Sequence, residues 1–82
     1  MTSVADGVTK KYGAKKDFCS HIIGIAKKHS INNYDQVIKA TDLPKIAQSY
    51  KDYTHKDFKG EKLHGGKEIK FSQFVDSAAE NH

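Results

Sequence analysis

The side chains best suited to chemistry in this chain are its histidines and its single cysteine. The five histidines are spread along the sequence, at His21, His29, His55, His64 and His82. A transition-metal site needs converging ligands, such as two histidines one helical turn apart, and the sequence has no His-x-x-x-His pair. His21 and His29 would lie on one helix about two turns apart, too far to share an ion. We expect no metal site and no cofactor. The alternative is a metal site formed by His55 and His64, which flank a polar loop and would have to come together across it.

The motifs of common enzyme classes are absent from the sequence. It contains no Gly-x-Ser-x-Gly nucleophile motif, no phosphate-binding loop and no dinucleotide-binding glycine pattern. The stretch "LHGGKE", residues 63–68, has two glycines but lacks the Lys-Ser/Thr of a phosphate loop, and we interpret it as a turn. We therefore predict that the protein is not an enzyme.

Cys19 is the only cysteine, so no intrachain disulfide can form. We interpret it as a small buried apolar residue on a helix face, not as a reactive thiol. This cysteine usage, with an N-terminus that lacks the apolar segment of a signal peptide, is typical of a reducing compartment, and we expect the cytoplasm.

The basic residues form the best candidate for a binding surface. The formal net charge is +4, and all 14 basic residues are lysines. Because arginine is the usual reader of guanine edges, its absence weighs against sequence-specific DNA binding. Lysines grouped on one side can meet an acidic protein surface; a solvated helix face is the alternative. The candidate partner-binding lysines are Lys10, Lys11, Lys15, Lys16, Lys27 and Lys28.

The elements that must position these lysines are short. A chain of 82 residues suits one small domain, residues 1–82, and we expect a monomer. No apolar run reaches the roughly 18 residues of a membrane span, so no membrane partner is expected. Residues 1–14 are either a helix or a loosely ordered N-terminal segment, because Gly7 and Gly13 weaken the helical pattern there.

Helical periodicity is clear in three further stretches. Residues 15–31 predict an amphipathic helix. A second helix is predicted after Thr41 as N-cap, with Pro44 in its first turn, where proline costs no hydrogen bond. A third is predicted from Phe71 onward. The expected buried stripes are Phe18, Ile22, Ile25, Ala26 and His29; Leu43, Ile46, Ala47, Tyr50 and Tyr53; and Phe71, Phe74, Val75 and Ala78. The stretch 54–67 is expected to be a connecting loop, with a helical turn near Phe58.

A short repeat links two of these helices. "IKATDL", residues 38–43, and "IKFSQF", residues 69–74, share an Ile-Lys start and are each followed by a helix. Two short strands that pair antiparallel, each running into a helix, make the core of an EF-hand pair. We therefore predict a mostly α, small helical domain of degenerate EF-hand-pair type, with one short antiparallel pairing of residues 37–40 with 68–71. Coincidence between two six-residue stretches is the alternative.

Neither predicted loop is suited to calcium. The first would span residues 31–42, where only Asn33, Asp35 and Asp42 offer suitable oxygens. The second would span residues 62–73, with lysine, histidine and glycine at the early ligand positions and Gln73 at the last. Because Ca²⁺ needs several oxygen ligands and negative charge, we predict no calcium binding.

Three segments resemble the tubulin polymerization-promoting protein (TPPP) family. They are "IAKKHSI" (25–31), "VIKATDL" (37–43) and "EIKFSQFVDSA" (68–78), and the last is the best match. "SVADGVTKKYG" (3–13) is similar to that family's first helix. The resemblance implies an EF-hand-like core with degenerate loops, and a non-enzymatic interaction module that binds tubulin or microtubules.

Two features depart from the family. The connection between the second and third segments is longer here, and the family's glycine- and lysine-rich tail has no counterpart up to His82.

The alternative function is that of a winged-helix-like nucleic-acid-binding protein or a phage-type regulatory protein. Its wing would be "FKGEKLHGGKEIKF", residues 58–71, and its phosphate contacts would be Lys45, Lys51, Lys56, Lys59 and Lys67.

Overall fold

The computed structural model describes residues 2–56, 58 and 67–80, which form four helices and one two-stranded sheet. The elements are α1 (Val4–Tyr12), α2 (Lys16–Lys28), β1 (Val37–Ile38), α3 (Leu43–Thr54), β2 (Ile69–Lys70) and α4 (Phe71–Glu80). The prediction of a mostly α chain with one short antiparallel pairing is confirmed. None of the helices in the described ranges is both long and apolar enough to cross a membrane.

The sheet joins the two halves of the repeat. β1 and β2 are antiparallel, with Val37 opposite Lys70 and Ile38 opposite Ile69. Ile38 and Ile69 are buried, whereas Val37 is 53% exposed, because successive strand residues point to opposite faces. The ladder is two residues long on each strand, shorter than predicted, because a turn begins at Lys39 and α4 begins at Phe71.

The core lies between the helices and one face of the sheet. The predicted stripes of α2 and α4 are buried apart from half-buried His29, as are the first four residues of the α3 stripe. Phe74 lies at the centre of an aromatic cluster, with ring centroids 4.5 Å from Phe58, 5.7 Å from Phe71 and 6.3 Å from Tyr50. Within this cluster, the edge-to-face contact of Tyr50 with Phe74 joins α3 to α4.

Three details differ from the prediction. Tyr53 is 40% exposed, because its ring lies over Gly24 on the surface of α2. The N-cap of α3 is Asp42, not Thr41. Helix α2 ends at Lys28, three residues before Ile31, since Ser30 adopts a positive φ of 56° that stops the helix.

Of the two structures expected for the N-terminal residues, a helix or a loosely ordered segment, the structure has the helix, α1. Ser3 caps α1 by accepting a hydrogen bond from the Asp6 backbone N–H at 3.1 Å, and Val4 and Val8 are buried against the rest of the core. Three other predictions lie outside the described residues: the early ligand positions of the second loop, His64, and all of the helical turn around Phe58 except Phe58 itself. Of the alternative's wing, residues 58–71, the structure describes 58 and 67–71, and Ile69–Lys70 pairs with β1.

Candidate functional site

Four of the six candidate lysines meet where α1 turns into α2. Lys10 and Lys11 lie in the last turn of α1, Lys15 is the N-cap residue of α2, and Lys16 is its first helical residue. The turn is closed by a hydrogen bond from the Lys15 N–H to the Tyr12 carbonyl at 2.8 Å. All four side chains are exposed. We call Lys10, Lys11, Lys15 and Lys16 the corner lysines.

The remaining two candidates are far from the corner. Lys27 and Lys28 lie in the last turn of α2, and a rise of about 1.5 Å per residue puts them roughly 16–18 Å along the helix from Lys16. The charge of Lys28 instead acts on the His29 imidazole, as does the charge of Lys45. The six lysines therefore form two groups, of which the corner is the larger.

Two surface depressions flank the corner lysines. One, of about 430 Å³, is lined by Ala14, Lys15, Lys16, Asp17 and Phe18. The other, of about 410 Å³, is lined by Thr2, Gly7, Lys10, Lys11 and Tyr34. Each depression has two lysines in its lining, but only the second also has an accessible aromatic residue, half-buried Tyr34. In the first, Phe18 is fully buried and Asp17 adds a negative charge. The second depression therefore suits an acidic segment carrying apolar side chains better than the first does.

An aspartate of α4 reaches across to the corner. The same oxygen of Asp76, Oδ1, accepts from Lys11 Nζ at 2.8 Å and from the Tyr12 hydroxyl at 2.6 Å. Burial and then the hydrogen bond to Asp76 raise the pKa of Tyr12 above its ordinary range. Sequence reasoning missed this contact, because the partners are 64 and 65 residues apart. The only sequence signal was that Asp76 and Glu80 share one face of α4.

Tyr34 holds the other side of α1. Its ring covers Gly7, where any Cβ would overlap the ring atoms, and its backbone N–H donates to the Thr2 carbonyl at 2.9 Å. Burial raises the pKa of Tyr34 to about 12. The loop that precedes β1 and the helix α1 therefore fit each other only because residue 7 has no side chain.

The first predicted calcium loop uses its oxygens in other bonds. Asn33 Oδ1 accepts from the Asp35 N–H at 3.0 Å, and Asp35 Oδ1 accepts from the Ser72 hydroxyl at 3.0 Å. Gln36 Oε1 accepts from the Asn32 N–H at 3.2 Å. The part of the chain that the structure describes contains no group of three histidine, cysteine, aspartate or glutamate residues placed to hold a metal ion.

Gln73, the last residue of the second predicted loop, also forms a hydrogen bond within the fold. Gln73 Oε1 accepts from the Lys70 N–H at 2.8 Å. This is the reciprocal half of a capping box, in which a residue in the first turn reaches back to the start of its helix. The position that would hold a bidentate calcium ligand in an EF-hand is occupied here by a residue that caps α4.

A third depression lies between α2, β1 and α3. It has a volume of about 270 Å³, and its lining includes His29, Asp42 and Lys45. His29 Nε2 lies 2.7 Å from Ser49 Oγ, a buried hydroxyl on α3. Burial, then the charge of Lys28, lowers the pKa of His29. The imidazole thus fastens the end of α2 to α3 in its neutral form.

Cys19 is buried, and the interpretation of this residue as a small apolar side chain holds. Its Sγ donates a weak hydrogen bond to the Tyr12 carbonyl at 3.1 Å, and burial raises the pKa of the thiol. A thiol with a raised pKa is a poor nucleophile at neutral pH.

Comparisons of the chain with protein-family models, curated proteins and solved structures find no significant match. The resemblance to the TPPP family therefore depends on the sequence alone, on the segments 25–31, 37–43 and 68–78 and on the N-terminal stretch 3–13.

Proposed function

We propose that this protein is a non-enzymatic protein-interaction module of cytoskeletal type, which binds an acidic protein surface without calcium. Its fold would be a degenerate EF-hand pair resembling the TPPP core, and tubulin is the candidate partner that this resemblance implies. The binding surface is formed by the corner lysines and the two depressions beside them.

The observation that carries the proposal is the charge of the corner. Four ammonium groups lie within two adjoining helix ends. Within the described residues, no carboxylate forms an ion pair with Lys10, Lys15 or Lys16, and only Lys11 is paired. Exposed cations with no internal partner raise the local concentration of an acidic partner and orient it.

The arrangement of strands and helices supports the fold named in the proposal. β1 is followed by α3 and β2 by α4, and the two strands pair with each other. Strand pairing between two loops, each running into its exit helix, is the central feature of an EF-hand pair. The capping role of Gln73 and the bonds of Asn33 and Asp35 support calcium independence.

Co-sedimentation with microtubules tests the proposed partner. The wild type is expected to pellet with microtubules, and the triple variant Lys10→Gln, Lys15→Gln, Lys16→Gln is expected to bind about tenfold or more weakly, since each lysine lost from such a surface removes up to about 1 kcal/mol. The matched control is Lys39→Gln, Lys45→Gln, Lys70→Gln, which removes the same charge from exposed sites elsewhere. Calcium and a chelator should give equal binding. Equal loss in both triple variants would contradict the corner as the binding surface.

The same protein preparations test the nucleic-acid alternative. Lys45 and Lys51 lie on α3, Lys56 follows α3 and Lys67 precedes β2, whereas Lys59 lies outside the described residues. Retention on arbitrary duplex DNA that weakens steeply with added salt, together with no sedimentation with microtubules, would favour that alternative over the proposal.

A further inference from the structure

We propose that Asp76 is an internal competitor for the corner lysines. Its carboxylate occupies Lys11 in the free protein, and an acidic partner must displace it to engage all four lysines. This inference rests on the proposed function and adds a mechanism that limits the affinity of that surface.

The geometry shows why the contact can be exchanged. The side chains of Lys11 and Asp76 are 54% and 42% exposed, so a partner carboxylate can approach the ammonium group from solvent. An exposed ion pair contributes little to stability, because water screens it and two long side chains lose rotamer freedom. Lys11 can therefore change from one carboxylate to another at a cost of no more than about fivefold in affinity, the upper value for one exposed ion pair.

Tyr12 explains why Asp76 stays in place after Lys11 leaves. The Tyr12 hydroxyl donates to the same oxygen of Asp76 at 2.6 Å. A hydrogen bond to an ionised acceptor is stronger than one between neutral groups. Asp76 therefore keeps a donor when Lys11 turns outward, and the attachment of α1 to α4 survives the exchange.

The charges near the corner set an order of events. Lys10, Lys15 and Lys16 have no ion-pair partner among the described residues, so they meet an acidic partner first. Lys11 then exchanges Asp76 for a carboxylate of the partner. Glu80 lies one turn further along α4, and its charge also acts on Tyr12. Among the described contacts, Lys11 and Tyr12 form their hydrogen bonds with Asp76 and not with Glu80. Glu80 is therefore a suitable control for the loss of a negative charge near the corner.

The test measures the affinity of the full chain for a fluorescently labelled poly-glutamate peptide by anisotropy, at low and at high salt. Asp76→Asn keeps an acceptor oxygen for Tyr12 and removes the charge that holds Lys11. We expect it to bind the peptide about fivefold more tightly than the wild type, since release of one exposed pair is worth about 1 kcal/mol. Glu80→Gln removes the same charge and is expected to change the affinity by less than about twofold.

A double-mutant cycle separates competition from a general gain of positive charge. In a Lys11→Gln background, Asp76→Asn should give no more than the Glu80→Gln change. A second readout uses the wild type itself: the NMR signal of the Lys11 ammonium group should shift as the peptide is added.

The outcomes distinguish this inference from the proposed function. If Lys10→Gln, Lys15→Gln, Lys16→Gln lowers peptide binding but Asp76→Asn and Glu80→Gln behave alike, the corner binds acidic partners and Asp76 does not compete. A fivefold gain that persists without Lys11 overturns the inference as well. If the wild type does not bind the peptide, the proposed function itself is contradicted.

Discussion

The two strand-to-helix junctions start from the same sequence pattern and reach their helices by different means. In the first, residues 38–43, four residues separate β1 from α3. In the second, residues 69–74, α4 begins directly after β2. The Ile-Lys start therefore fixes the strand pairing but not the way in which the following helix begins.

The first junction is closed by local bonds. The Lys39 carbonyl accepts from the N–H groups of Asp42 and Leu43, at 2.9 and 3.1 Å. Asp42 is the N-cap, but its side chain makes no capping hydrogen bond, and Pro44 has no N–H to satisfy. This junction needs little from the rest of the chain.

The second junction is closed by distant residues. The Phe71 N–H donates to the Gln36 carbonyl at 2.8 Å, and the Ser72 hydroxyl donates to Asp35, 37 residues away in sequence. Only the bond from Lys70 to Gln73 is local. The start of α4 thus depends on the loop of residues 31–36 and, through Tyr34, on α1.

The largest effect is expected in the core behind the second junction. Phe74→Ala should lower the free energy of unfolding by about 3–5 kcal/mol, the usual range for a buried aromatic truncated to alanine. The physical reason is the loss of ring contacts with Phe58, Phe71 and Tyr50. Urea unfolding followed by circular dichroism measures it, with Val37→Ala on the exposed strand face as control. A loss below about 1 kcal/mol would contradict the central packing role of this ring.

The next effect comes from the glycine beneath Tyr34. Gly7→Ala should destabilise the protein by about 1–3 kcal/mol, as overpacking does, because the new methyl group overlaps the Tyr34 ring and disturbs the loop that closes the second junction. Gly24→Ala is the matched control on α2. Its Cβ would lie 3.3 Å from the ring of exposed Tyr53, which can move, so the gain in helix propensity should leave stability equal or higher. Equal losses in both variants would show that Tyr34 is not a fixed support.

The sequence predicted the elements better than it predicted the site. The spacing of Phe18, Ile22 and Ile25 identifies the buried face of α2, because each lies about one turn from the next. The repeat predicted an antiparallel pairing of residues 37–40 with 68–71, and the structure places Ile38 opposite Ile69 within these ranges. The contact of Asp76 with Lys11 and Tyr12 could not be predicted, since it depends on how α1 and α4 pack. Tyr53 was predicted to be buried but is 40% exposed. Helical periodicity shows on which face of the helix a side chain lies, but not where along that face the core ends.

A smaller effect tests the two caps directly. Gln73→Ala should lower the free energy of unfolding by about 1 kcal/mol, the typical value of a lost capping interaction, because the Lys70 N–H loses its acceptor. Asp42→Ala at the first junction should cost only a few tenths of a kcal/mol, through the helix dipole alone. Chemical denaturation of both variants gives the comparison, and Gln73→Glu, which can still accept the bond, should retain most of the stability. If Asp42→Ala cost more than Gln73→Ala, the first junction would be the one that depends on its side-chain cap.

The smallest effect is a pH dependence that belongs to the first junction. His29 lies against it, in contact with Ser49, and burial followed by the charge of Lys28 lowers its pKa in the folded protein. The unfolded chain therefore takes up this proton at higher pH than the folded protein does. The stability that neutral His29 contributes is fully present above its ordinary value near 6.5 and is lost as the pH falls through its lower folded value. Urea unfolding between neutral and mildly acidic pH should show this loss in the wild type. His29→Gln, which keeps a polar atom near Ser49 but does not titrate, should show less of it. An equal pH dependence in both proteins would assign the effect to carboxylates elsewhere, and the imidazole would then fasten α2 to α3 equally well in either protonation state.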